Sequence, residues 1–311
     1  MRVPKSISSD HPAINVEPSE AVPGSKPQPG LYLVATPIGN ARDISLRALD
    51  VLRGADLIAC EDTRVTAKLL AIYGIGTAST AYHDHNAERV RPRLLAALRE
   101  GKSVALVSDA GTPLIADPGY RLVREAVAQG SAVTALPGAS AVPVALSLSG
   151  LPTDRFLFAG FLPERGAERR RVLGELASVK ASLVLFESPR RLGDSLADAA
   201  QMLGGSREAA VARELTKKFE EVRRGSLDEL AAHYAEHEPR GEIVLVIGPP
   251  QDDAAAIDES ALDAALAQAL RGASLKQAVA DVAAATGAPR KQVYARALRL
   301  KDAGRDTDES E

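Results

Sequence analysis

Apolar positions along the chain fall into short continuous runs that alternate with helical stripes. LYLVAT (31–36) is apolar on both faces and predicts a buried strand. ISLRALDVLRGA (44–55) places Ile44, Leu46, Leu49, Val51 and Leu52 at helical spacing. LIACED (57–62) is again a strand, and helices follow near 64–73 and over 86–99. VALVS (104–108) and AVTAL (132–136) are strands, separated by a helix over 119–130 that ends at a glycine. A helix starting near Ser140 leads away from this half. Such alternation predicts a largely parallel sheet with helices on both faces.

A second series begins near Leu151-Pro152, with strands predicted at 155–160, 182–188, 208–214 and 242–248. VRRG (222–225) can pair with 208–214, so this sheet is expected to be mixed. The pattern divides the chain into an α/β domain over 31–149, a second over 150–250 and a helical region over 251–304. Residues 1–30 contain six prolines and no apolar periodicity, which predicts a disordered leader; 305–311 is expected to be a disordered tail.

Charge changes the picture at the carboxyl end. Residues 251–270 carry five acids and no base, whereas 271–301 carry seven bases against one acid, Asp281. SLKQAVADVAAAT and PRKQVYARALRL flank Gly287-Ala288-Pro289, the layout of a helix-turn-helix with proline where its missing N–H is harmless. Two readings stand side by side: a helical appendage with a solvated charged face, or a surface for RNA phosphates. Over the whole 311 residues the net charge is −3, so any basic surface must be local. The single cysteine, Cys60, excludes a disulfide framework and a zinc cluster, and suits a reducing compartment. No apolar run approaches the roughly 18–20 residues that cross a bilayer, and no secretory signal opens the chain. A cytoplasmic protein without a membrane partner is expected.

The candidate chemistry gathers at strand ends. ATPIGN (35–40), Glu61-Asp62, SDAGTPLIADPG (108–119), LPGASA (136–141) and Glu187-Ser188-Pro189 each follow a predicted strand. Five polar or glycine-rich strand ends on one rim predict a ligand site. In the longest loop, Asp117 is predicted to cap the next helix with Pro118 at its first position, which makes that half of the loop structural. GKS (101–103) is no phosphate loop, because position 96 is Ala and the motif precedes its strand. GIGTAS (74–79) follows a helix and lacks the last glycine of a dinucleotide fingerprint. His83-Asp84-His85-Asn86 has no supporting cysteines or HExxH, so no metal is expected; a helix cap at Asn86 or an RNA-facing loop fits better. No GxSxG elbow marks a serine hydrolase.

TPIGNARD (36–43), CEDTR (60–64), HDHN (83–86), SDAGTPLIADPG (108–119), PGASA (137–141), FESPRR (186–191), ARELTKKFEE (212–221) and GEIVLVIG (241–248) occur in this order over about 220 residues. Together they closely resemble the bacterial small-subunit ribosomal RNA 2′-O-ribose cytidine methyltransferases, a family within the tetrapyrrole-methylase (class III methyltransferase) group. The resemblance implies two α/β domains with S-adenosyl-L-methionine in the cleft between them, plus a small C-terminal helical domain. It implies 2′-O-methylation of a decoding-centre cytidine, cytidine 1402 of 16S rRNA, on the small ribosomal subunit, by a homodimer.

Carried onto this chain, the family's cofactor contacts fall on Pro37, Ser108, Asp109, Thr112, Ser140, Ala141, Phe186 (or its neighbour Glu187) and Leu215. A ribose hydroxyl is a poor nucleophile near neutral pH, and a base is expected among Glu61, Asp62, Glu187, Glu214 and Lys217. Glu61 and Glu214 could instead pair with Arg64 and Arg213. Arg42, Arg64, Arg190, Arg191, Lys217 and Lys218 lie within the matching motifs as candidate RNA contacts, joined by Arg290 and Lys291 of the basic region. The run Arg165, Arg169, Arg170 and Arg171 is either a further RNA contact or a solvated face. Aromatic residues are only 4% of the chain, so recognition by shape and phosphate is expected rather than broad base stacking. Two rivals share the fold: a small-molecule methyltransferase acting on a tetrapyrrole, and a non-catalytic ribosome-assembly factor.

Overall fold

A computed structural model describes residues 26–250, 259–286, 290 and 293–300. In β1 (Gly30–Val34), Leu31 and Leu33 pack to one side of a sheet, and Tyr32 and Val34 to the other. That two-sided burial is why the run is continuously apolar. α1 (Leu46–Gly54) follows, its first turn held by the Ser45 hydroxyl, which accepts from the Ala48 N–H at 3.2 Å. Next come β2 (Leu57–Cys60), α2 (Thr63–Ile72) and β3 (Ser79–Ala81), then α3 (Ala87–Arg99) and β4 (Ser103–Val107). α4 (Tyr120–Ala128) and β5 (Val133–Leu136) complete a five-stranded sheet of order β3-β2-β4-β1-β5. Every pairing in it is parallel. Leu49, Leu52 and Leu70 from α1 and α2 cover one face. Leu94, Leu98 and Leu122 from α3 and α4 cover the other.

α5 (Ala141–Ser149) leads to the second sheet: β6 (Phe156–Phe161), α6 (Gly166–Leu176), β7 (Ser182–Glu187), α7 (Leu192–Leu203), β8 (Glu208–Arg213), β9 (Glu221–Ser226), α8 (Leu227–Glu236) and β10 (Ile243–Ile247). Its order is β6-β7-β10-β8-β9. β6 runs parallel to β7 while the remaining pairs are antiparallel, so the sheet is mixed as the pattern predicts. Val142, Ala145 and Leu146 of α5 pack against Val184, Ala212, Val244 and Val246, and the same cluster includes Ile38 from the first half. Both sheets belong to one compact unit; the chain beyond Pro249 belongs to another. There α9 (Glu259–Leu270), α10 (Leu275–Thr286) and the helical residues 293–300 share a core of Leu262, Leu266, Val279, Val282, Val293 and Ala297. No helix among the described residues is long and apolar enough to cross a membrane.

Three expectations change. The leader does not run to residue 30: Lys26 pairs with Asp56 at 2.7 Å, the Tyr32 hydroxyl donates to the Gln28 carbonyl, and Gly30 already pairs in β1. β3 has no counterpart in the predicted elements, because three residues at a sheet edge carry too little pattern. Asp117 does not cap α4. Gly119 takes that place at φ +132°, a backbone conformation that favours glycine, and a Cβ there would lie 2.8 Å from a Leu106 methyl. Residues 1–25, the 251–258 linker, the 287–289 turn, Lys291 and the 305–311 tail lie outside the described residues.

Candidate active site

The strand-end loops of the first sheet are tied to one another. Thr36, just after β1, exchanges two backbone hydrogen bonds with Gly111 (2.9 and 3.0 Å), and its hydroxyl donates to the Ser108 carbonyl. The Ser108 hydroxyl donates to the Gly111 carbonyl at 2.8 Å, closing the loop on itself. Thr112 reaches across to the Ala139 carbonyl after β5, and Asp109 accepts from the Asp62 N–H after β2 at 3.0 Å. One loop thus fastens the ends of four strands. That accounts for its length and special residues: Gly111 at φ +85° could not carry a Cβ without meeting Ile38 at 3.3 Å.

Between these loops and the second sheet lies a cavity of about 420 Å³. Asp109, Thr112, Ser140, Ala141, Phe186 and Leu215 line it. Pro37 and Ser108 do not: Ile38 takes the place of Pro37 on the wall, and Ser108 is buried behind it. Phe186 stands edge-on to Phe158 and Phe161 at 4.9 and 5.5 Å, and Phe161 shares the wall. Asp117 and the Gly241–Val244 segment also line the cavity. β10 is antiparallel to β7, which brings its amino end beside Glu187 on the same rim. The left-handed non-glycine residues among those described are Leu114, Ala116, Glu214 and Thr216, two in each of the loops that present Asp117 and Leu215. Such backbone costs about 1–3 kcal/mol per residue and gathers at functional sites.

The candidate bases separate by their partners. Glu187 is 3% exposed; Oε1 accepts from the Ser188 N–H (2.7 Å) and Arg191, and Oε2 accepts from the Ser195 hydroxyl at 2.7 Å. Both oxygens therefore accept hydrogen bonds that hold the rim together. Asp62 caps α2 and bonds the Arg64 guanidinium, which holds its carboxyl down at about 2. Lys217 bonds Glu214 and Glu242 at 2.8 and 3.0 Å, and that pairing raises its pKa, so it stays charged. Glu61 lies off the cavity wall, its carboxyl raised by burial and by Asp109 and Asp84. Arg64 pairs with Asp62 rather than Glu61, and Arg213 with Glu221 rather than Glu214. Asp117 is raised to about 6, first by burial and then by the charges of Glu61 and Asp109.

Arg42, Arg190, Lys218 and Arg290 are exposed and have no acidic partner among the described residues. Arg64 is exposed but bound to Asp62, and Arg191 is committed to Glu187 and the Leu162 carbonyl. The run at 165–171 is a set of ion pairs: Arg169, 6% exposed, and Arg170 share Asp198, Arg171 pairs with Glu175, and Arg165 lies 3.8 Å from Glu168. Asn86 makes no cap bond; its side chain accepts from the His83 N–H and donates to the Ala81 carbonyl, locking its own turn. No group of three His, Cys, Asp or Glu among the described residues is placed to hold a metal.

A mainly apolar cavity with converging carboxylates fits a ligand that joins a flat ring, hydroxyls and a cationic centre. Two α/β sheets closing strand-end loops over such a cavity, without a dinucleotide fingerprint, define a class. Residues 30–231 match the model of the Tetrapyrrole (Corrin/Porphyrin) Methylases. A solved cobalt precorrin-4 methyltransferase of cobalamin biosynthesis has the same fold at TM-score 0.54 and 20% identity, covering 70% of this chain and 94% of that one. Within that class the chain belongs to the ribosomal RNA small subunit methyltransferase I family. The Mesorhizobium japonicum protein of that name is 51% identical over 289 residues, 92% of this chain and 97% of the relative. The Erythrobacter litoralis one is 54% identical over 273 residues, 88% and 96% of the two chains. Residues 255–301 match the RsmI C-terminal HTH domain.

Proposed function

We propose that the protein methylates the ribose 2′-hydroxyl of cytidine 1402, in the decoding centre of 16S rRNA, on the small ribosomal subunit. Its cofactor is S-adenosyl-L-methionine, which supplies a methyl group already activated on a sulfonium. The observation that carries this reading is the cavity fastened together by the TPIGN, SDAGTP and PGASA loops, in a chain related along most of its length to enzymes named for small-subunit rRNA. In this reading Asp109 and Thr112 hold polar groups of the cofactor, Phe186 and Leu215 its flat part, and Ser140 and Ala141 the remaining wall. Pro37 and Ser108 stiffen the wall from behind. The chain's contribution is to orient donor and acceptor and to exclude water.

Arg42, Arg190 and Lys218 are proposed to meet RNA phosphates from the two-sheet unit, Arg64 to do so while bound to Asp62, and Arg290 with Lys291 from the helical unit. Arg191 is proposed only to fix the rim through Glu187. The enzyme is proposed to act in the cytoplasm as a homodimer; the edge strand β6, with Phe156 and Phe161 50% and 58% exposed, supports a second copy there. Methyl transfer from labelled S-adenosyl-L-methionine to small subunits from cells lacking the protein tests this function. The modified nucleotide is mapped by its resistance to alkaline cleavage. The expected product is a 2′-O-methylated cytidine 1402, lost with Asp109→Ala. Transfer to a porphyrin precursor but not to RNA would favour the tetrapyrrole reading, and failure to bind the cofactor would favour an assembly factor.

A further inference from the structure

We propose that Asp117 takes the proton of the acceptor hydroxyl during methyl transfer, an inference that rests on the function proposed above. Four carboxylates line the cavity: Asp109, Asp117, Glu187 and Glu242. Three are engaged. Glu187 is saturated by Ser188, Arg191 and Ser195. Glu242 bonds Lys217, and Asp109 accepts the Asp62 N–H that ties two strand ends together. Asp117 has no cationic partner among the described residues. The nearby Ser108 hydroxyl gives its proton to the Gly111 carbonyl, so it does little to hold a charge on Asp117.

The placement is enforced by the backbone. Leu114 at φ +72° and Ala116 at φ +63° hold the loop in a conformation ordinary side chains avoid, and Gly119 carries the start of α4 in place of Asp117. With Gly119 at the helix start, the loop keeps the Asp117 carboxyl on the cavity wall. Burial raises its proton affinity, and the charges of Glu61 and Asp109 add to it, to a pKa of about 6. Of the other charged groups on the cavity wall, Glu187 is held by Arg191, and Glu242 shares Lys217 with Glu214. A base titrating near the working pH combines an available ionised form with real proton affinity. In the step itself the hydroxyl oxygen bonds to the methyl carbon as the carbon–sulfur bond breaks. The O–H proton passes to an Asp117 Oδ, and the bonding pair left on sulfur gives a neutral thioether.

The test uses the full chain, Asp117→Asn and Asp117→Glu, with small subunits from cells lacking the protein. Single-turnover transfer at pH 7 is expected to fall by about 10²–10⁴-fold in Asp117→Asn, with cofactor affinity by calorimetry unchanged and part of the rate restored in Asp117→Glu. The wild-type rate should rise with pH through about 6, and that rise should vanish in Asp117→Asn. Independently of activity, carbon-13 NMR of labelled aspartate carboxyls should show one group titrating near 6 that disappears in Asp117→Asn. Wild-type rates in Asp117→Asn, a loss no larger than its loss of cofactor affinity, or an Asp117 carboxyl titrating near 4 would each overturn the inference. A wild-type protein that transfers no methyl to RNA overturns the functional reading and this inference with it. An active wild type matched by Asp117→Asn overturns the inference alone.

Discussion

At the scale of single residues, the raised pKa of Asp117 has a consequence for stability whose sign is unusual for a carboxyl. Its ordinary value is 3.8 and its folded value about 6. Below the first, both states carry the proton and nothing is gained or lost. Between the two, the unfolded chain releases its proton while the folded chain keeps it, so stability falls as pH rises through this window. Above 6 the full penalty remains, on the order of 1–3 kcal/mol. Asp117→Asn is neutral throughout and is predicted to raise Tm at pH 8 while leaving it unchanged at pH 4, a comparison calorimetry makes directly. A lower Tm at both would mark a structural aspartate. The sequence places this residue at a helix start because Asp-Pro-Gly is ordinary cap chemistry, and only the left-handed backbone at Leu114, Ala116 and Gly119 turns it toward the cavity. Asp109 and Thr112 are legible as wall residues since they sit inside a contiguous motif. The arginines at 169 and 170 mislead for the opposite reason: their partner, Asp198, lies about thirty positions away in α7, beyond any local pattern.

At the scale of elements, the strands are legible because burial on both faces leaves continuous apolar runs, as in β4, where all five residues are buried. The amino end of β10 is not legible as a site, because strand-end reasoning looks to carboxyl ends and an antiparallel strand reverses them. Loop-to-loop contacts are equally silent in sequence. A Cβ on Gly39 would lie 2.5 Å from the Lys217 side chain and 2.9 Å from the Leu215 carbonyl, and the Asn40 N–H donates to the Thr216 hydroxyl. The loop after β1 thus presses on the loop after β8, and Leu215 is held on the cavity wall between two left-handed neighbours. Gly39→Ala is predicted to push these loops apart and to cut methyl transfer by about 100-fold, the typical cost of a misplacement near 1 Å. Cofactor affinity measured by calorimetry should fall with it. Ser226 offers the contrasting case. Its hydroxyl and Glu229 form a capping box at α8, away from the cavity. Ser226→Ala is predicted to cost about 1 kcal/mol of stability, read as a shifted denaturation midpoint, with transfer at 25 °C unaffected.

For the molecule as a whole, a net charge of −3 must be reconciled with a polyanionic substrate. Pairing resolves much of it. Most bases in the 165–171 run are held by acids of α6 and α7, and Arg296 is held by Asp263, so these add little to a basic surface. Among the exposed bases that no described acid holds, those proposed to meet phosphates are Arg42, Arg190 and Lys218, which lie in or beside motifs that line the cavity, and Arg290 in the helical unit. Each phosphate contact releases counterions and contributes about 0.7–0.9 to the slope of log affinity against log salt. Replacing Arg42, Arg190 and Lys218 by Ala is therefore predicted to lower that slope for small subunits by about 2–3, with cofactor affinity unchanged. Arg290→Ala applies the same measurement to the helical unit, whose sequence alone allows either a solvated face or a phosphate contact. A slope lower by nearly one makes the unit part of the RNA-binding surface. An unchanged slope leaves Arg290 on a solvated face and assigns recognition to the loops around the cavity.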